Sequence, residues 1–233
     1  NALMMLGMTV FTLLAGLFGD TGNFRDGYKS IFFLIPIIIL AILFYPNVDR
    51  DLSGMAQAAM EQGWKARTAE TIGMAQRGGC VVSHVRIGDD VYSPLIPHGT
   101  ADVILGFEPA EAVRCLPYLK HGGTVVAAKK AVKPVTASLS GVDYESESML
   151  DFLKRHTGRV IIVDTEEICA QCGSAKVLNV ALLGAAIGSG ALAFSLEQMQ
   201  QTIRQRVPER YLVMNQKALS LGAQTAQQQM ELE

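Results

Sequence analysis

With 233 residues, the chain is long enough for one domain of ordinary size plus an appendage. Its 20 Lys+Arg against 22 Asp+Glu leave a net charge of −2 and no basic stripe, which argues against nucleic acid as a partner. Four cysteines in a chain of this size, Cys80, Cys115, Cys169 and Cys172, fit a reducing compartment rather than a secreted disulfide scaffold.

Hydropathy divides the chain near residue 50. Ala2–Gly19 and Ile31–Tyr45 are uncharged apolar runs, separated by the turn-rich DTGNFRDGYKS. A helical span needs about 20 apolar residues, with a lower limit of about 17. The first run meets that limit and the second falls slightly short. Residues 1–50 are therefore expected to form a hydrophobic helical hairpin suited to a membrane. The second run has an alternative. Ile37–Phe44, IIILAILF, begins just after Pro36 and in the competing reading is the first, fully buried strand of a parallel sheet. Arg50, Lys65 and Arg67 would keep residues 51–233 on the cytoplasmic side of a tether.

From residue 51 helix and strand alternate. Leu52–Gln62 is Ala- and Met-rich and predicts a helix stopped by Gly63. Lys65–Glu70 is extended. Cys80–Ile87 is a β-branched strand; Gly88-Asp89-Asp90 turns it, and Val91-Tyr92 is expected to pair back as a hairpin. Ala101–Phe107 is a short buried strand. Glu108-Pro109 opens a helix at a position where proline's missing N–H costs nothing. That helix runs over Ala110–Lys120, is disturbed at Pro117, and ends at Gly122-Gly123. Strands at Thr124–Ala128 and Arg159–Val163 alternate with helices at Met149–His156 and Thr165–Cys172. Val177–Gly188 is an Ala/Leu/Gly-rich helix for close packing. Ser195 with Gln198 has capping-box spacing and starts a helix that ends at Arg206-Val207-Pro208. Glu209–Leu221 is the last helix, closed by Gly222, and GAQTAQQQMELE is a polar, frayed tail. The fold class is α/β: a mostly parallel sheet with flanking helices.

Two short stretches carry candidate chemistry. In GMAQRGGCVVSHVRIG, Gly78-Gly79 permits a tight turn or a close backbone approach, and Arg77 would bring a planar donor fork suited to carboxylate or phosphate. The plain alternative is a turn beside a solvated arginine. Along the following strand, alternate side chains share a face, so His84 and Arg86 point one way and Ser83 the other. That separation argues against a Ser–His nucleophile pair and leaves His84 as a surface or interface histidine. Ser93-Pro94 and Pro97 stiffen the next loop, in a structural or partner-contact role. Glu108 suits a helix N-terminus. Cys169-Ala-Gln-Cys172 has the spacing of half a metal or redox site. The chain holds no second Cys-x-x-Cys, and helical packing explains residues three apart equally well.

GMAQRGGCVVSHVRIG, VYSPLIPHGTADVILGFEPAEAVRCLPYLKHGG and VLNVALLGAAIGSG occur in that order, with Asn215 in the last helix. Together they resemble the gamma-type domain of 2-oxoacid:ferredoxin oxidoreductases, and within it the indolepyruvate ferredoxin oxidoreductase beta subunits, over about residues 52–222. Where that family has a Gly-x-Gly-Gly-x-Gly loop, this chain reads FYPNVDRDLSG, with Gly54 as its only glycine, and the family has no counterpart to residues 1–50. The resemblance implies a Rossmann-like gamma domain over 51–233. It implies a supporting subunit in oxidative decarboxylation of an aryl 2-oxoacid to acyl-coenzyme A, with electrons passed to ferredoxin. The chain has no ferredoxin-type run of cysteines and no Gly-Asp-Gly segment followed by Asn of the kind that holds magnesium thiamine diphosphate. Thiamine diphosphate, Mg and Fe–S clusters are therefore expected in a large partner subunit, with coenzyme A as co-substrate. Arg77, Gly78, Gly79, His84 and Arg86 are the expected substrate- or partner-site residues. The expected location is cytoplasmic. The competing reading is a non-catalytic α/β binding module tethered to a membrane by residues 1–50.

Overall fold

The computed structural model describes residues 55–56, 58–72, 81–132 and 144–232. The expected hairpin over 1–50, the alternative strand at Ile37–Phe44, and Gly54 lie outside the described residues. Among the described residues, no helix is long and apolar enough to cross a membrane.

Helical residues 55–56 and 58–61 end at Gly63, whose φ of 82° is the left-handed conformation that made glycine the stop signal. Strand β1, Lys65–Ile72, then pairs antiparallel with β2, Val81–Gly88. The expected pairing of β2 with Val91-Tyr92 is corrected: those residues are not in a strand, and Lys65–Ile72 takes the position beside β2. Gly88-Asp89-Asp90 does turn the chain, but it turns into a loop.

The central sheet holds β3, Ala101–Gly106, β4, Leu119–Ala128, and β5, Arg159–Val163, parallel and in the order β3-β4-β5. Crossover helices α1, Pro109–Cys115, and α2, Ser146–His156, join successive strands. After β5 come α3, Thr165–Cys172; α4, Leu178–Gly188; α5, Leu196–Arg206; and α6, Glu209–Glu231. The central strand β4 is covered on both sides. Val125 and Ala127 pack with Ile104, Ala112, Leu150 and Leu153 under α1 and α2. Val126 and Ala128 pack with Ile161, Val163 and Leu182 under α4. A strand buried on both faces reads as a continuous apolar run, as VVAA does.

Two boundaries differ from expectation. Helix α1 stops at Cys115 and passes into a 3₁₀ turn, Leu116–Tyr118, because Pro117 cannot donate to the α-helical ladder. Gly122-Gly123 then lies inside β4 rather than ending a helix. The β3–β4 register shifts between Ala101 and Val103, and Gly122 takes a φ of 74° in that irregular stretch.

The final helix runs far past the expected stop. Gly222 is not in a left-handed conformation, and the stretch expected to fray is helical to Glu231. Ala218, Leu219, Gly222, Ala223 and Ala226 form its buried stripe. That stripe presses on α4 backbone to backbone. A Cβ on Gly184 would overlap the Leu219 carbonyl, one on Gly222 would overlap the Ala181 carbonyl, and one on Gly188 would come within 2.5 Å of the Ala223 carbonyl. The close packing expected of α4 is thus met by glycines on both helices.

The capping box is present as expected: Gln198 N–H donates to Ser195 Oγ at 3.2 Å, and Ser195 N–H donates to Gln198 Oε1 at 2.8 Å. The outer edge of β5 is closed by a side chain from α6. Ile162 N–H donates to Gln229 Oε1 at 3.0 Å, and Gln229 Nε2 donates back to Ile162 O at 2.6 Å. The carboxamide reproduces the bonds of one neighbouring strand residue on the side of β5 away from β4, which among the described residues is a sheet edge.

Candidate functional site

Ala66, Val85 and Ile87 of the β1–β2 ribbon face the core. The opposite parity, His84 and Arg86, faces the loop that follows β2, as strand alternation required. His84 is not a surface histidine. It is only 7% exposed, and its Nδ1 accepts the Ile96 N–H at 3.2 Å. Arg86 Nη1 donates to Ser93 O at 3.0 Å and reaches Leu95 O at 3.4 Å. Both side chains therefore grip one loop, YSPLIPH.

That loop is fastened elsewhere too. Thr100 Oγ1 donates to Pro97 O at 2.8 Å, and Gly99 N–H donates to Pro117 O at 2.9 Å. The Tyr118 ring stands edge-on to His84, with centroids 5.4 Å apart, and edge-on to His98 at 4.6 Å. Arg77, Gly78 and Gly79 lie outside the described residues. Sequence reasoning missed Tyr118, which meets His84 of β2 only through the fold, and His98, which meets Tyr118; neither gives a local signal.

A second group of residues sits at the carboxyl end of the parallel strands, where open α/β sheets place their binding crevices. Glu108 caps α1 by accepting the Glu111 N–H at 3.1 Å, as expected of a helix N-terminal acid, and it is buried. Its other oxygen accepts the Tyr144 hydroxyl at 2.9 Å. Partial burial, then the Glu108 bond and charge, push the Tyr144 phenol from 10.0 up to about 12. Nearby, Asp164 caps α3 and pairs with Lys129 at 3.1 Å, while Lys130 pairs with Glu166. The Glu167 N–H, then the Lys129 bond, hold the Asp164 carboxyl below its ordinary value.

The Tyr144 bond has a testable alkaline consequence. Its folded pKa lies above its unfolded one, so the stabilisation is fully present below about pH 10 and is lost as pH rises through about 12. Urea midpoints of the wild type should fall across that window more than those of Tyr144→Phe, which has no proton to lose there.

Cys169 and Cys172 are both free thiols on α3. Burial pushes the Cys169 thiol up, with its neighbour Cys172 adding to the shift. Burial also raises Cys172, against a smaller opposing effect of Lys217. Reactive and metal-binding cysteines show the reverse, a thiolate stabilised by its surroundings. Among the described residues, no group of three or more His, Cys, Asp or Glu is arranged to hold a metal. A cleft of about 270 Å³ beside Cys169 is lined by Phe107, Lys130, Glu166, Cys169 and Leu178.

Residues 53–225 match the profile of the pyruvate ferredoxin/flavodoxin oxidoreductase family. The chain belongs to this family. The indolepyruvate oxidoreductase subunit IorB of Pyrococcus horikoshii is 38% identical over 180 residues, which cover 75% of this chain and 88% of that protein. The subunit of the same name from Archaeoglobus fulgidus is 39% identical over 169 residues, 72% of this chain and 84% of that one. Among solved structures, the fold is shared by the 2-oxoglutarate:ferredoxin oxidoreductase of Magnetococcus marinus, with a TM-score of 0.57 and 17% identity. That match covers 77% of this chain but 28% of the longer one. In this oxidoreductase-family domain, the Arg-Gly-Gly, Ser-Pro-Leu-Ile-Pro and Gly-Phe-Glu-Pro segments all fall inside the matched region.

Proposed function

We propose that the chain is the small subunit of an indolepyruvate:ferredoxin oxidoreductase. The observation that carries this is the 38% identity to an indolepyruvate oxidoreductase subunit across 88% of that protein's length. The reaction converts an aryl 2-oxoacid, R–CO–COO⁻, and coenzyme A to R–CO–S–CoA, CO₂ and a proton. The C–C bond to the carboxylate breaks, the thioester C–S bond forms, and the released electron pair passes to ferredoxin.

The described residues do not fit the groups this chemistry needs. Burial disfavours the thiolates of Cys169 and Cys172, and among the described residues no group of three or more His, Cys, Asp or Glu is arranged to hold a metal. In this reading, thiamine diphosphate, Mg and the Fe–S clusters belong to the large partner subunit. This chain's role is to dock that subunit and complete the walls around its reactive centre. The loop held by His84 and Arg86 supports that role, its backbone being fastened by both side chains. Arg77, Gly78 and Gly79, next to β2 in sequence, are assigned to the same contact region.

The test is co-expression with the large thiamine-dependent subunit, followed by affinity capture and size-exclusion chromatography. A stable complex of both chains is expected. Separate elution of the two chains would refute the assignment.

A further inference from the structure

The loop from Val91 to His98 is fastened mainly by polar bonds. Apart from the buried Val91 and the half-buried Pro94 and Ile96, its residues are exposed. Arg86 holds the Ser93 and Leu95 carbonyls, and His84 holds the Ile96 amide. The two grips differ in one respect. A guanidinium donates at any pH the fold survives, whereas an imidazole nitrogen accepts only while it carries no proton. The Ile96 bond therefore assigns His84 as the neutral ring, with its proton on Nε2. A second proton, on Nδ1, would set two donors facing each other in a position only 7% exposed.

The groups around His84 do not compensate that charge. Among the described residues no carboxylate pairs with it. On its own strand, Arg86 shares its face. On β1 the residue directly opposite is the uncharged Ala69, while Arg67 stands opposite Arg86 and Lys65 follows on the same face. The turn after α1 brings the Tyr118 ring edge-on at 5.4 Å, with His98 of the loop on Tyr118 in turn. The charged neighbours on this face are thus cations. We infer that His84 is an acid-sensitive latch on the Val91–His98 loop. Taking up a proton from solvent breaks the Ile96 bond and frees that end of the loop, while Arg86 keeps hold of Ser93 and Leu95. The bond is present at high pH and is lost as pH falls. The latch belongs to this chain alone and does not depend on the subunit assignment above.

The test is an NMR titration of the full chain from about pH 8 to about pH 5, the interval in which imidazoles change charge. Ring-nitrogen shifts report protonation of His84. Protection of the Ile96 amide, corrected for the intrinsic pH dependence of exchange, reports the bond. Protection should fall by about tenfold or more, the scale of an unpaired donor, in step with His84 and not with His98. The Val126 amide, in the fully buried centre of β4, should stay protected throughout, which separates loop release from acid unfolding. His84→Asn offers an acceptor near the same place that does not titrate, so protection at Ile96 should become independent of pH. The wild-type titration decides by itself if that variant does not fold. Protection that survives protonation of His84, or that is lost while its ring is neutral, overturns the latch. So does a ring that stays neutral down to about pH 5, or pH dependence retained in a folded His84→Asn.

Discussion

Gly222→Ala and Gly184→Ala each lower the stability of the domain by about 3 kcal/mol or more, above the usual range for overpacking. Alanine is the better helix former by about 1 kcal/mol, so propensity alone predicts stabilisation. Contact decides the sign. The added Cβ would overlap the Ala181 carbonyl in one case and the Leu219 carbonyl in the other. Both obstacles are backbone, so no rotamer change relieves them, and α4 and α6 must separate. Because α4 lies directly on the sheet, the separation opens the larger core cluster. Gly158→Ala is the control, since its Cβ would meet only Gly122 Cα at 3.8 Å, and it shifts stability by less than about 0.5 kcal/mol. Urea unfolding with an unchanged slope reads all three. Stability retained in Gly222→Ala would mean that the two helices do not touch as described.

His84→Phe should cost about 1–3 kcal/mol, the penalty for leaving a part-buried donor unpaired. Phenylalanine keeps an aromatic ring against Tyr118 but offers nothing to the Ile96 N–H. Hydrogen exchange at Ile96 should accelerate in this variant, because its N–H loses the imidazole acceptor. Arg86→Ala acts on the same loop at an exposed site, so it should cost less stability while also loosening Ser93 and Leu95. An unchanged Ile96 amide in His84→Phe would remove the imidazole from its assigned role.

What the sequence disclosed was mainly local. Ser195 with Gln198, Glu108 with Pro109, and the apolar run of β4 each announce themselves within a few residues, and each is where it was expected. The pairing of β2 was not legible, because Gly88-Asp89-Asp90 carries a turn signal whether the chain returns as a strand or leaves as a loop. Gly222 misled for a physical reason. A glycine that closes a helix and one that admits a neighbouring backbone look the same in one dimension. The alternating parity of His84 and Arg86 was legible, but what they face was not, since Ile96 and Tyr118 reach His84 only through tertiary structure. Family likeness was carried by three short segments in order, and that signal does not depend on knowing the pairing.

The most direct measurement compares turnover by the isolated chain with turnover by the reconstituted pair, using coenzyme A, indolepyruvate and a dye acceptor in place of ferredoxin. A small subunit without its own reactive centre should give no dye reduction alone and substrate-dependent reduction once its large partner is added. Turnover by the chain on its own, or a formed complex that stays inactive with indolepyruvate and every other 2-oxoacid tried, would contradict the account.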